Sequence, residues 1–173
     1  MKFQPDVESP GYPAGLNRMV ISTDASLAPG GERSRTGVTI EYAGMLIHWV
    51  SKKQTITSLS SCEAETLATL DGLKVGMGVR DVVSELEGDL IEVEVRADNT
   101  ASIASIKTEV TSWRNRHYAM KAAWIRDVLN EEVIELKYQP GVTLVADALT
   151  KVLEKGKLDV ARQRLHLSLG TTL

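Results

Sequence analysis

A chain of 173 residues with 20 Lys+Arg against 23 Asp+Glu, a net charge of −3 and an apolar fraction of 43% has the length and balance of one globular domain, which argues against disorder, collagen-like repeats and membrane spans. A single cysteine, Cys62, excludes an intramolecular disulfide, and three scattered histidines (His48, His117, His166) add no zinc-type spacing, so any catalytic metal has to be a hard cation held by carboxylates. No apolar run approaches the ~18 residues of a spanning helix, and residues 1–16 lack the apolar centre of a signal peptide, so the reading is an intracellular protein, cytoplasmic or enclosed in a particle, with no membrane partner. The slightly acidic total disfavours binding a polyanion through bulk positive charge and leaves a local basic surface open.

Residues 1–16 carry three prolines and two glycines without periodicity and read as a disordered tail or a severed linker. Arg18 to Asp24 is short, β-branched and bounded by a polar stretch with Gly and Pro, which predicts a strand ending in aspartate. Thr36 to Tyr42 and Met45 to Val50 are two more strands joined by Ala43-Gly44, a hairpin connection, so the first three strands suit an antiparallel meander. A proline-free stretch from 61 to 87 predicts one long helix whose start is marked by Ser60-x-x-Glu63, a capping box. Its apolar residues, Leu67 through Val82, Val83 and Leu86, cover more than one face and imply substantial burial, while Gly72, Gly76 and Gly78 mean either close packing or local weakness.

Ile91 to Asp98 alternates cleanly, with Ile91, Val93, Val95 and Ala97 on one face and Glu92, Glu94, Arg96 and Asp98 on the other, and it too ends in aspartate. A short helix over 99–107, a basic-faced helix over 114–130, a strand over 133–138 and a helix over about 144–152 containing Asp147 follow, with an amphipathic helix over 154–168 at the end. The order is that of an α/β domain with a mixed sheet, spanning 17–153, followed by a helical extension over 154–173. Asp24, Asp98 and Asp147 stand at strand ends or just beyond, where catalytic groups collect in α/β sheets, and Glu65 lies early in the long helix. Taken singly each has an ordinary reading, a turn aspartate or a solvated helical glutamate.

In order along the chain, STDAS (22–26), SRTGVTI (34–40), HWVSKKQTITSLSSCEAETLA (48–68), RADNTASIA (96–104), WRNRHYAMKAAWIRD (113–127) and YQPGVTLVADALTK (138–151) resemble the ribonuclease H domain of copia-type LTR retrotransposon Pol polyproteins over roughly residues 18–153. The resemblance implies a ribonuclease H-like fold, a five-stranded mixed sheet flanked by helices with its first three strands antiparallel. It places the family's metal-binding carboxylates on Asp24, Glu65, Asp98 and Asp147. Glu65 is preferred to Glu63 because Glu63 already serves as the acidic member of the capping box.

The implied activity is two-metal hydrolysis of the RNA strand of an RNA/DNA hybrid, with two Mg²⁺ ions, or Mn²⁺ in their place. By resemblance Asp24 bridges both ions, Asp147 completes the water-activating site, and Glu65 and Asp98 serve the leaving-group side. Candidate contacts to the nucleic acid are Ser26, Ser60, Ser61 and Asn99 for the 2′-hydroxyls and minor groove, and Lys52, Lys53, Arg114, Arg116, Lys121 and Arg126 for phosphate. The ordinary roles of these residues are helix capping, turns and solvated surface. His117 belongs to the family's recurrent basic element, packing or substrate contact both remaining open. The loop before the last aspartate, QPGVTLV (139–145), lacks the histidine that cellular relatives often carry there. An upstream reverse transcriptase domain in a natural polyprotein is a candidate partner that the resemblance raises and the sequence leaves open. A non-catalytic nucleic-acid-binding or assembly domain derived from such an element is the alternative, favoured only if one of the four acids were missing.

Overall fold

The computed structural model describes residues 17–28, 32–108 and 116–165, with the side chains of Arg116 and His117 outside that set. The tail over 1–16, Arg114 and the last residues of the expected 154–168 helix also lie outside the described residues. Strands β1 (Arg18–Ser26), β2 (Arg35–Tyr42) and β3 (Met45–Lys53) are followed by helix α1 (Ser61–Glu87), strand β4 (Glu92–Ala97), helices α2 (Thr100–Lys107) and α3 (Arg116–Glu131), and strand β5 (Glu135–Tyr138). A 3-10 helix (Val145–Leu149) and helix α4 (Lys155–Arg164) close the order. One sheet runs β3-β2-β1-β4-β5, antiparallel from β3 to β1 and parallel from β1 to β5.

The β2–β3 hairpin turns on Ala43 (φ 50°) and Gly44 (φ 78°), both left-handed, the pair of angles that matches the right-handed twist of the flanking strands. Helix α1 begins at the expected cap: the Ser60 hydroxyl accepts from the Glu63 N–H at 3.2 Å, and the Glu63 carboxylate accepts from the N–H of Leu59 at 2.8 Å. It ends at Gly88, left-handed at φ 71°, whose N–H returns to the Ser84 carbonyl.

Alternation in β1, β2 and β4 sends Met19, Ile21, Val38, Ile40, Val95 and Ala97 to one face of the sheet, where they join Leu73 of α1 and Ile125 of α3 in a single core. Gly72 and Gly76, one turn apart, let α1 lie directly on β1: a Cβ at Gly72 would run into the Thr23 methyl and one at Gly76 into the end of Ile21. Gly78 meets nothing.

Burial of α1 is restricted to its first half. Val82 and Leu86, expected inside, are 58% and 81% exposed, because the helix runs on past the end of the sheet that covers Ala64 to Gly76. The helix expected near 144–152 is only the five-residue 3-10 turn.

The other face of the sheet is polar but not wet throughout. Glu94 in the middle of β4 is 2% exposed, and it takes Nε of Arg96 at 2.5 Å, Nζ of Lys137 at 2.9 Å and the guanidinium of Arg18. Cations from three neighbouring strands thus neutralise one buried carboxylate.

Candidate active site

Asp24 is the antepenultimate residue of β1, and its register neighbours across the sheet are Gly37 and then Ser51. A side chain at Gly37 would put its Cβ 2.7 Å from the carbonyl oxygen of Ala146, so its absence lets the 3-10 helix lie on the sheet beside Asp24. The Ser51 hydroxyl anchors that helix by donating to the Leu149 carbonyl at 2.6 Å. Glu65 enters from the second turn of α1. The loop ahead of α1 is fixed by buried Gln54, whose amide donates to the Ala64 carbonyl at 2.8 Å and to Thr36 Oγ1 at 3.1 Å, while its oxygen accepts from Ser58. Asp98 follows β4 directly, next to Asn99, which caps α2 by accepting from the Ser102 N–H at 2.9 Å.

These three acids converge. One carboxylate oxygen from each of Asp24, Glu65 and Asp98 lies within 4.8 Å of the other two. Asp24 is 1% and Glu65 5% exposed. Burial, and then repulsion from Asp24 and Asp98, push the Glu65 carboxyl up to about 9, although the Ala25 backbone N–H draws it down. Asp24 is raised to about 6, again chiefly by burial, with the Thr150 hydroxyl acting in the opposite direction. Asp98 is raised by burial, with Lys151 opposing and Asp147 adding to the effect.

Asp147 stands beside the trio on the 3-10 helix. Its carboxylate receives the ammonium of Lys151, one helical turn on. Asp98 and Asp147 both border Gly141: a Cβ there would sit 2.7 Å from Asp98 Oδ2 and 3.8 Å from Asp147 Oδ1.

The donor set suits a divalent cation. Three carboxylates share one small volume with no thiol or imidazole among them, the donor class of hard, oxygen-preferring ions. Glu65 Oε2 is buried without a hydrogen-bond partner among the described residues, and burial together with the neighbouring Asp24 and Asp98 disfavours its ionised form, a cost that a cation held among the three would offset.

Three residues at the site had no role assigned from the sequence. Thr150 donates its hydroxyl to Asp24 Oδ2, Lys151 pairs with Asp147, and Gly141 leaves space for two carboxylates. The spacing of Thr150 and Lys151 from Asp147, three and four residues, was the available signal, since it returns both side chains to one face of a helical turn.

The expected nucleic-acid contacts are spread along the same end of the sheet and the helix starts. Ser26 ends β1, Ser60 and Ser61 open α1, Asn99 opens α2, and Lys53 ends β3 exposed. Lys52 pairs with Asp71 of α1 at 3.1 Å. Arg126 has a structural role: its guanidinium donates to the carbonyls of Ile106 at 2.8 Å and Thr108 at 2.7 Å and so closes the end of α2. Lys121 is half-buried on α3, and Arg114 and the side chains of Arg116 and His117 lie outside the described residues.

No protein-family model matches the chain. Among solved structures it superposes on LC11-RNase H1, isolated from compost by a metagenomic approach, with a TM-score of 0.61 and 24% identity over 84% of this chain and 99% of that one. It also superposes on LC11-RNase H1 in complex with RNA/DNA hybrid (TM-score 0.52, 21% identity, 71% of this chain and 86% of that one). RNase H1 from Halobacterium salinarum gives a TM-score of 0.56 at 18% identity over 83% and 98% of the two chains. The fold is the ribonuclease H fold.

In sequence the chain is 28% identical over 143 residues to the retrovirus-related Pol polyprotein from transposon TNT 1-94 of Nicotiana tabacum, covering 82% of this chain and 11% of that protein. It is likewise 28% identical over 141 residues to the transposon Ty1-NL2 Gag-Pol polyprotein of Saccharomyces cerevisiae, covering 79% and 8%. The chain therefore spans about a tenth of the length of the curated relatives it matches. Those relatives are retrotransposon Pol polyproteins, and the resemblance to a copia-type ribonuclease H domain holds in both sequence and fold. Among the described residues no helix is long and apolar enough to cross a membrane.

Proposed function

We propose that the chain is a metal-dependent endonuclease that hydrolyses the RNA strand of RNA/DNA hybrids, working as a ribonuclease H domain of a retrotransposon Pol polyprotein. The observation that carries this reading is the convergence of Asp24, Glu65 and Asp98 within 4.8 Å at the carboxyl ends of β1 and β4, with a buried glutamate oxygen left unpartnered.

Asp24, Glu65 and Asp98, with Asp147 beside them, would hold two Mg²⁺ ions, Mn²⁺ being the substitute. Such ions, when bound, generate the nucleophile from water and neutralise charge on the attacking and leaving oxygens of the phosphodiester. The residues of the chain supply the rest. Thr150 fixes one oxygen of Asp24, which leaves the other oriented toward the cluster. Lys151 holds Asp147 against the wall of the site. Gln54 and the Ser60 cap fix the first turns of α1 and hence the position of Glu65. Asn99 beside Asp98, together with Ser26, Ser60 and Ser61, supplies polar groups for the 2′-hydroxyl face that distinguishes RNA from DNA, and Lys52, Lys53, Arg114 and Arg116 supply charge for phosphate.

The test is direct. Labelled RNA/DNA hybrid is incubated with Mg²⁺ and either the wild-type chain or Asp98→Asn. The wild type is expected to cut the RNA strand and the variant to lose cleavage. An uncut hybrid with the wild type, or equal cutting by Asp98→Asn, refutes the proposal.

A further inference from the structure

The excess of acid over base in the whole chain conceals a basic segment. Between Lys151 and Arg164 there are five basic residues against two acidic ones, in a chain whose net charge is −3. In the structure this segment borders a cleft of about 860 Å³ whose floor carries Asp98 and Asp147 and whose walls are the 141–153 loop and α4. From α4 the cleft is lined by Gly156 and by Lys157, Val160, Ala161 and Arg164, the last three lying three, four and seven residues beyond Lys157 and hence on its helix face. The far end of that helix is tied across the cleft, since Arg164 Nη1 donates to the Val142 carbonyl at 2.5 Å.

We propose that this cleft is a track for the sugar–phosphate backbone of the nucleic acid where it runs on from the carboxylate site, with Lys157 and Arg164 as its phosphate contacts. The inference rests on the ribonuclease reading of that site and extends it to a surface that none of the contacts expected from sequence includes.

Three features favour this occupant. Asp98 and Asp147 line the cleft as well as the carboxylate site, so a phosphodiester seated at these two residues has its neighbours inside the cleft. Lys157 and Arg164 stand about 10 Å apart along the helix axis, a separation that lets them meet different phosphates of one strand. The aliphatic residues between and opposite them, among them Val142 and Val160, match the C–H faces of sugars that alternate with anionic phosphates along a strand.

The charged groups lining the cleft are Lys151, Lys157 and Arg164 against Asp98, Asp147 and Glu154, and because Lys151 is paired with Asp147, Lys157 and Arg164 are left to offset the repulsion a polyanion meets beside the carboxylates.

The experiment uses two variants of the full chain that remove the same charge from the same helix. Lys157→Met takes it from the cleft wall, whereas Lys155→Met takes it from a residue that does not line the cleft. Steady-state cleavage of RNA/DNA hybrid in Mg²⁺ is followed between about 50 and 200 mM salt, with hybrid binding measured in parallel by fluorescence anisotropy. Lys157→Met is expected to raise KM several-fold at low salt with kcat unchanged, and to make the salt dependence of binding shallower by about 0.7–0.9 in the log–log slope, the value of one lost phosphate contact. Lys155→Met is expected to match the wild type.

Cleavage whose KM and salt slope ignore Lys157, or fall equally with Lys155→Met, overturns the track and leaves the ribonuclease reading standing. Hybrid binding that depends on Lys157 without any cleavage overturns the catalytic reading and leaves the track standing.

Discussion

Glu65→Gln separates the stability of the site from its chemistry. Glu65 is 5% exposed, and its carboxyl is raised from an ordinary 4.5 to about 9 by burial and then by the neighbouring Asp24 and Asp98. A carboxyl raised in the folded state keeps a proton that the unfolded chain has already released. Its contribution is therefore complete below pH 4.5 and is lost as pH rises toward 9, so stability without metal falls across that window. At about 1.4 kcal/mol per pH unit, holding Glu65 neutral at pH 7 costs about 3 kcal/mol relative to the unfolded chain. Glutamine has the same shape and carries no such cost. Glu65→Gln is expected to be about 3 kcal/mol more stable than the wild type at pH 7 in EDTA, roughly 10 °C in Tm for a domain of this size, and nearly equal to it at pH 5. Saturating Mg²⁺ is expected to close that gap by stabilising the wild type, by about 2.7 kcal/mol at a hundred times Kd, while the variant gains little. Urea unfolding at pH 5 and pH 7, with EDTA and with Mg²⁺, measures all four corners. A glutamine variant no more stable than the wild type at pH 7 in EDTA, or one that Mg²⁺ stabilises equally, refutes the reasoning.

Two glycines of α1 are expected to respond in opposite directions to alanine. Gly78→Ala enters open space and should stabilise the fold by about 1 kcal/mol, whereas Gly72→Ala meets the Thr23 methyl on the central strand and should destabilise it by about 1–3 kcal/mol, both read from urea midpoints. Glu94→Gln leaves the partly exposed Arg18, Arg96 and Lys137 around a neutral group and should cost about 1–3 kcal/mol of stability, with kcat of the surviving folded protein unchanged. Thr150→Val keeps the shape but removes the hydrogen bond that lowers the Asp24 carboxyl. Its pH–rate profile should have its acid limb moved to higher pH, and its activity should fall about 10–100-fold, the range for losing a group that orients a metal ligand.

The parts of the fold that could be read from sequence are those whose cause is local. Ala43-Gly44 sets its own turn, Ser60 and Glu63 form their own cap, and the alternation in β4 places Val95 and Asp98 on opposite faces without reference to the rest of the chain. Asp24, Glu65 and Asp98 taken singly read as ordinary turn or solvated acids, and it is their order and surrounding motifs together that mark them. What was not legible depends on a partner distant in sequence. Gly72 and Gly78 look alike until Thr23 is found across from one of them. Arg126 looks like any exposed base until the open carbonyls of α2 are placed beneath its guanidinium. Glu94 reads as a solvated residue of an alternating strand, and only the register of β1, β4 and β5 brings three cations around it. Val82 and Leu86 look like core in the sequence, whereas past Gly78 only Val79 and Val83 of α1 pack against the core, because the length of the sheet decides how much of the helix has one to face.

Charge shows the same separation between composition and place. A total of −3 describes no part of the surface near the candidate site. Three acids are gathered in one small volume where ionising them together is costly, a fourth is held by Lys151, and the basic stretch that includes α4 borders the adjoining cleft. Such an arrangement has two electrostatic states. Without a cation the cluster lowers its charge at neutral pH by keeping a proton on Glu65, whose carboxyl is raised to about 9. Two divalent ions, if held there as proposed, would balance four carboxylates and make the same volume neutral toward an incoming phosphodiester, with Lys157 and Arg164 of the cleft adding attraction along the strand. Burial of the carboxylates would then couple affinity for the cation to affinity for the polyanion, because burial disfavours the ionised cluster in the absence of metal.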